Sequence, residues 1–212
     1  MLDKEYFDQG YQHIFGIDEV GRGPMAGPLV AAAVCLPLDD PQLTEKLKGV
    51  RDSKDMTHRQ REAASERIKE VALAWGIGSV SAAEMIEVGN MTAVTMEAMH
   101  RALKDARNRA QVPVDFLLVD YYRVPFFPPD QQASFKKGDT LYLSIAAASV
   151  LAKVFRDRLM IDYAETYPNY GFDRHKGYQT QAHRKALKQY GPCPIHRRNY
   201  APVQKALAGL LD

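Results

Sequence analysis

The chain has 212 residues, of which 46% are hydrophobic and 25% charged, with a formal net charge of +2. Those proportions are ordinary for a globular domain with one substantial core and a small appendage. A near-neutral total excludes a strongly basic or acidic chain and makes no electrostatic case for any partner by itself.

In chain order, residues His13 to Val20 alternate loosely and predict a strand ending at Gly21. Pro28 to Leu36 is a continuous apolar run, expected to be a second strand buried on both faces. Thr57 reads as the N-cap of a helix from Arg59 to about Leu73, and Ala74 to Val80 as a third strand. Two helices follow, Ala82–Val88 and Thr92–Ala110, the second with Val94, Met99 and Leu103 along one face. Asp115 to Val119 is a short β-type run that ends at Asp120, and the proline-rich Arg123–Gln132 is a loop. Ser144 to about Tyr163 is a long helix whose first half is almost all Ala, Ser and Val. A helix over Thr180–Tyr190, a break at Gly191-Pro192-Cys193-Pro194 and a closing helix over Val203–Leu211 complete the chain. Strands early and helices late give an α/β sheet of mixed direction with a helical C-terminal region. The expected division is a catalytic domain over 1–165 and a helical region over 166–212, packed as a single structural unit.

Location follows from three smaller features. Cys35 and Cys193 build no disulfide framework, the N-terminus lacks the apolar stretch of a signal peptide, and the longest uncharged run, Gly23 to Leu38, is 16 residues. That run is too short to span a bilayer, so the expectation is a cytoplasmic protein without a membrane partner. From Lys136 onward there are thirteen lysines and arginines against six acids, a basic third suited to a phosphate-facing surface.

The most informative residues are Asp18-Glu19-Val20-Gly21-Arg22-Gly23-Pro24. Two acids close a strand and a glycine-arginine-glycine turn follows at once, which lets backbone approach a ligand closely. Consecutive strand residues face opposite ways, so Asp18 and Glu19 share one cation only if the strand ends or bulges there. Asp120 leaves an apolar strand at its C-terminal edge, where open α/β sheets bind ligands. Asp139 precedes the long helix. Hard divalent cations take carboxylate oxygens and water, so these four acids form a candidate site for two Mg²⁺ or Mn²⁺ ions. Such a pair suits phosphodiester hydrolysis. His175, His183 and His196 lack zinc spacing and read as hydrogen-bonding or phosphate-facing residues. Asp157, mid-helix between arginines, reads as half of a structural ion pair.

The segment from Gly16 through Asp18-Glu19-Val20-Gly21-Arg22-Gly23 to Pro28 resembles the opening signature of the type 2 ribonucleases H, specifically bacterial ribonuclease HII. Asp52-Ser53-Lys54, Lys137-Gly138-Asp139, Ser144–Ser149, Ala152–Asp157, Tyr167–Tyr178, Thr180, His183 and Gly191–Arg197 continue the likeness in order, over roughly residues 13 to 203. The resemblance implies a ribonuclease H-like fold: a five-stranded mixed sheet flanked by helices, with a small helical C-terminal region. It implies an endoribonuclease that cuts on the 5′ side of ribonucleotides, in RNA–DNA hybrids and at single ribonucleotides embedded in duplex DNA, leaving 3′-hydroxyl and 5′-phosphate ends. Asp18, Glu19, Asp120 and Asp139 correspond to the catalytic metal ligands, and Gly21, Arg22 and Gly23 to the segment that reads the ribose 2′-hydroxyl. Tyr178 corresponds to the tyrosine beside that sugar. Lys54, Lys153, Lys176 and Arg197 are candidate phosphate contacts, and a monomer is expected.

One departure stands out. Tyr121 follows Asp120 where the family usually has glycine, a residue suited to close approach or positive φ. The shape of the loop after it is therefore open. The sister type, ribonuclease HIII, carries a sizeable N-terminal substrate-binding domain, whereas seventeen residues precede Asp18 here. A binding module without chemistry would make the acids incidental, since carboxylates repel phosphate unless a cation intervenes.

Overall fold

The computed structural model describes residues 2–50, 53 and 56–210. Its elements are α1 (Asp3–Phe7), β1 (Ile14–Val20), β2 (Leu29–Cys35), α2 (Leu43–Lys46), α3 (His58–Val71), β3 (Ala74–Val80), α4 (Glu84–Val88), α5 (Met91–Ala110), β4 (Phe116–Asp120), β5 (Gln132–Phe135), α6 (Leu143–Thr166), α7 (Phe172–His175), α8 (Gln181–Tyr190) and α9 (Ala201–Leu207). The strands form one five-stranded sheet in the order β3-β2-β1-β4-β5. β1 runs antiparallel to β2 and parallel to β4, and β4 parallel to β5, so the sheet is mixed as expected.

Two units divide the chain: Met1–Val20 with Val30–Ser79 and Met96–Val154, and Gly21–Leu29 with Val80–Thr95 and Phe155–Asp212. This division differs from the expected one at residue 165. It falls inside α6, after Val154, and it assigns two earlier segments to the second unit because they share its local packing.

The first unit is built on β2, whose seven residues are all buried. Ile14, Val34, Leu36, Ile68, Phe116, Leu118, Ile145 and Val150 make its core. Glycines allow helices to lie directly on the sheet. A Cβ on Gly16 would collide with the backbone of Ser144 and Ile145, and one on Gly78 with that of Ala98 and Ala102. Gly16 therefore serves close approach by α6, a partner within the protein. Thr57 caps α3 as expected, and the box is reciprocal: its side chain accepts from Gln60 N–H and its own N–H donates to Gln60 Oε1 at 2.8 Å.

The N-terminus of α6 is capped from 140 residues away. Asp3, fully buried, takes the N–H of Leu143 at 2.7 Å and of Ser144 at 3.0 Å, and the Ser144 hydroxyl. Four residues give β5 too little pattern to show in the sequence, and it falls at the end of the stretch read as a loop. Buried Gln132 closes that stretch: its Oε1 takes the Val124 N–H at 2.8 Å, and its amide donates to the Val124 carbonyl at 2.9 Å and the Phe127 carbonyl at 2.8 Å.

The second unit packs Met160, Tyr170, Phe172, Ala186 and Cys193 around Ala26, with Met25, Leu187 and Val203 as a neighbouring cluster. Thr180 caps α8, its hydroxyl accepting from His183 N–H. α9 spans Ala201–Leu207, shifted toward the N-terminus of the expected helix, whose last residue, Leu211, lies outside the described residues. Both cysteines are buried free thiols. No helix among the described residues is long and apolar enough to cross a membrane.

Candidate active site

Parallel pairing sets Ile17 beside Val119, so the next residue on each strand, Asp18 and Asp120, emerges at the same sheet edge. The ladder from β1 to β2 is unbroken through Val20, and Gly21, at φ +95°, ends the strand. The strand neither ends nor bulges at the two acids, yet the charge of Glu19 still bears on Asp18. Asp18 is buried, and its carboxyl is held well above the usual range, first by burial and then by the neighbouring charges of Glu19 and Asp120. The Ser149 hydroxyl donates to Asp18 and opposes that shift, as does the Glu19 N–H, 2.7 Å from Oδ1. Ser149 Oγ in turn lies 2.9 Å from Ser53 Oγ, a buried pair behind the acid.

Asp139 is linked to Asp120 through the backbone of its neighbour. Asp120 Oδ1 accepts the Gly138 N–H at 2.7 Å, which fixes the 3-10 turn Gly138–Thr140 and with it buried Asp139. Tyr121 answers the departure noted in the sequence. It adopts φ +62°, the conformation natural to glycine, while its ring is 58% exposed. The turn after Asp120 is left-handed at this position and carries a tyrosine there at a conformational cost.

Among the described residues no three His, Cys, Asp or Glu side chains enclose a metal ion as they stand. The donor set itself suits a hard divalent cation: oxygens only, with mutual repulsion at Asp18 that a positive charge would relieve.

In the second unit, the turn carrying Gly21, Arg22 and Gly23 is tied from within. Arg197 is fully buried; its Nε donates to the Gly27 carbonyl at 2.9 Å, Nη1 to the Arg22 carbonyl at 3.0 Å, and Nη2 to the Gly21 carbonyl. The expectation that Arg197 contacts phosphate is thereby corrected: charge was visible in the sequence, burial was not. Tyr200 reinforces the tie, its hydroxyl donating to the Arg22 carbonyl. Arg156, also fully buried, spends its guanidinium on the carbonyls of Pro28 (2.9 Å), Lys176 (3.0 Å) and Ala26 (3.2 Å). A Cβ on Gly21 would run into Arg156 Nε. Burial, then repulsion from Arg197, lowers Arg156 to about 10, still charged at neutral pH. Sequence reasoning passed over Arg156 and Tyr200 because nothing local marks a side chain that serves a turn far along the chain.

The Tyr178 ring is 43% exposed, and its Cε1 lies 3.8 Å from where a Cβ on Gly23 would stand. Lys176 Nζ donates to the Asp173 carbonyl, Lys153 is half-buried on α6, and Lys54 lies outside the described residues. Asp157 is buried, and its charge raises the pKa of Arg156. His183 and His196 are buried and hydrogen-bonded, which keeps the hydrogen-bonding reading and corrects the phosphate-facing one.

The sequence model described as Ribonuclease HII matches residues 15–203. Ribonuclease HII of Halalkalibacterium halodurans is 47% identical over 206 residues, covering 97% of this chain and 74% of the relative. That of Syntrophotalea carbinolica is 49% identical over 199 residues, covering 94% and 90%. The crystal structure of ribonuclease H2 from Pyrococcus horikoshii OT3 superposes with a TM-score of 0.74 at 26% identity, covering 93% of this chain and 98% of that one. The chain belongs to the ribonuclease HII family of endoribonucleases.

Proposed function

We propose that this protein cuts the phosphodiester 5′ of a ribonucleotide, both in RNA–DNA hybrids and at single ribonucleotides embedded in duplex DNA, leaving 3′-hydroxyl and 5′-phosphate ends. The supporting observation is the shared edge of β1 and β4, where the charges of Glu19 and Asp120 bear on the Asp18 carboxyl, in a chain that matches the family over residues 15–203. Asp18, Glu19, Asp120 and Asp139 would hold two Mg²⁺ or Mn²⁺ ions. When bound, such ions supply the charge and the acidified water that phosphodiester hydrolysis needs.

The chain's own residues do the remaining work. Burial and the charges of Glu19 and Asp120 hold the Asp18 carboxyl above its usual range, an effect a bound cation would offset, and the Ser149 hydroxyl donates to it. Gly138 N–H keeps Asp120 from rotating away. Gly21, Arg22 and Gly23 read the 2′-hydroxyl, whose donor and acceptor character separates ribose from deoxyribose. Arg197 and Tyr200 fix that turn by its carbonyls, so it need not reorganise on binding. Tyr178 packs beside the sugar, and Lys153, Lys176 and Lys54 attract the phosphates. We place the enzyme in the cytoplasm as a monomer, consistent with two free thiols.

The test is a labelled DNA duplex with one ribonucleotide, incubated with and without Mg²⁺, and the nick mapped. The expected outcome is one Mg²⁺-dependent nick on the 5′ side of the ribonucleotide, nearly abolished by Asp18→Asn or Asp120→Asn. Retained turnover in either variant removes the ligand assignment. Tight duplex binding without a nick leaves a binding module in place of an enzyme.

A further inference from the structure

Outside the acidic site and the glycine turn, three histidines of the second unit form one connected array. His183 and His196 are 0% and 2% exposed. The Cys193 backbone N–H donates to His196 Nδ1 at 3.0 Å, so that nitrogen is bare and the His196 proton sits on Nε2. His196 Nε2 lies 3.1 Å from His183 Nε2, which must therefore accept. The His183 proton is left on Nδ1, 2.9 Å from the Tyr178 carbonyl, a group that can only accept. Both ends of the chain of bonds thus demand the same pair of neutral tautomers.

His175 supports this pair from the side. Its ring stacks on His183 with centroids 4.3 Å apart and planes 12° from parallel. Gly177 N–H donates to its Nδ1 at 3.2 Å, leaving Nε2–H to donate to the Tyr170 carbonyl at 2.8 Å. Phe172 closes the array, its ring perpendicular to His183 at 5.3 Å. Burial holds His183 down to about 3 and His196 to about 4, so this pair stays neutral in ordinary buffers. Every ring nitrogen is engaged in a hydrogen bond, which leaves none for a metal.

The array ends on the backbone of one residue. The Tyr178 carbonyl takes His183 Nδ1–H and the Thr180 N–H at 2.9 Å, and the Tyr178 N–H donates to the His175 carbonyl at 2.9 Å. Only the ring is left to solvent, beside Gly23. We infer that His183, locked in its Nδ1–H tautomer by His196, is a positioning residue that fixes the Tyr178 ring against the glycine turn and so sharpens discrimination for ribose. The inference rests on the reading of Tyr178 as the residue beside the sugar.

The test uses the full chain with the single-ribonucleotide duplex. His183→Leu removes the donor, and His183→Asn keeps an amide donor near the place of Nδ1. Loss of one buried hydrogen bond predicts a fall in kcat of about tenfold for His183→Leu with KM unchanged, largely restored in His183→Asn. In the Tyr178→Ala background, His183→Leu costs nothing further. ¹⁵N shifts of the unaltered protein show Nδ1–H on His183 and Nε2–H on His196, retained at pH 5. Losses that multiply in the double variant overturn the positioning role, as does an Nε2–H tautomer on His183. If Tyr178→Ala alone is harmless, the sugar reading of Tyr178 falls first, and the positioning role with it.

Discussion

Tyr121 shows what one side chain can cost at a site it does not serve. Its φ of +62° is forced by the turn that returns the chain after Asp120, and its largely exposed ring recovers little burial in exchange, packing edge-on against Tyr122 at 4.8 Å. Left-handed backbone costs a residue with a Cβ about 1 kcal/mol relative to glycine. Tyr121→Gly is therefore expected to raise stability by about 1 kcal/mol, read as a higher urea midpoint, with cleavage of the single-ribonucleotide duplex unchanged. A lowered midpoint would mean the ring makes a contact worth more than the strain. Arg197 carries the opposite lesson. A cation in a basic segment looked like a phosphate contact, yet its guanidinium is consumed by three carbonyls of the turn it supports. Sequence reports charge directly and burial only through pattern, and no pattern surrounds an isolated arginine.

Among the elements, α6 depends most on distant support. Its first N–H groups find their acceptor in Asp3 and its first turn lies on Gly16. Asp3→Ala removes that cap and leaves buried N–H groups without an acceptor, so a loss of about 2 kcal/mol is expected in chemical unfolding. A change below a few tenths would show that water replaces the carboxylate. This dependence was illegible in the sequence because capping rules are local, whereas Asp3 acts across 140 residues. The regular elements were legible for the converse reason. Seven fully buried residues make β2, and the Thr57 box starts α3 within its own turn. β5 and α7, at four residues each, are too short to carry a period. The four acids stand out in the sequence by their place at strand and helix ends; Ser149, which donates to Asp18, and the Gly138 N–H, which donates to Asp120, act through tertiary contacts that no spacing announces.

For the molecule as a whole, the buried histidines set an acid limit. His183 and His196 are held at about 3 and about 4, below the ordinary 6.5 that the unfolded chain would show. Depressed values favour the neutral, folded form, so this stability is complete above about pH 6.5 and is lost as pH falls toward 4. Each group contributes a slope of up to about 1.4 kcal/mol per pH unit in that window. The melting temperature should fall between pH 6.5 and 4, and less steeply in His183→Asn. Equal slopes would place the acid sensitivity elsewhere. The parallel seam between β1 and β4 brings together residues about a hundred positions apart, and loop closure of that length comes late in folding. The cation-binding edge proposed for these acids would not exist until the seam has zipped. Mn²⁺ should accordingly retard unfolding in stopped-flow chevrons while leaving the refolding limb untouched, making the ion a latch on the finished enzyme and no guide to its assembly.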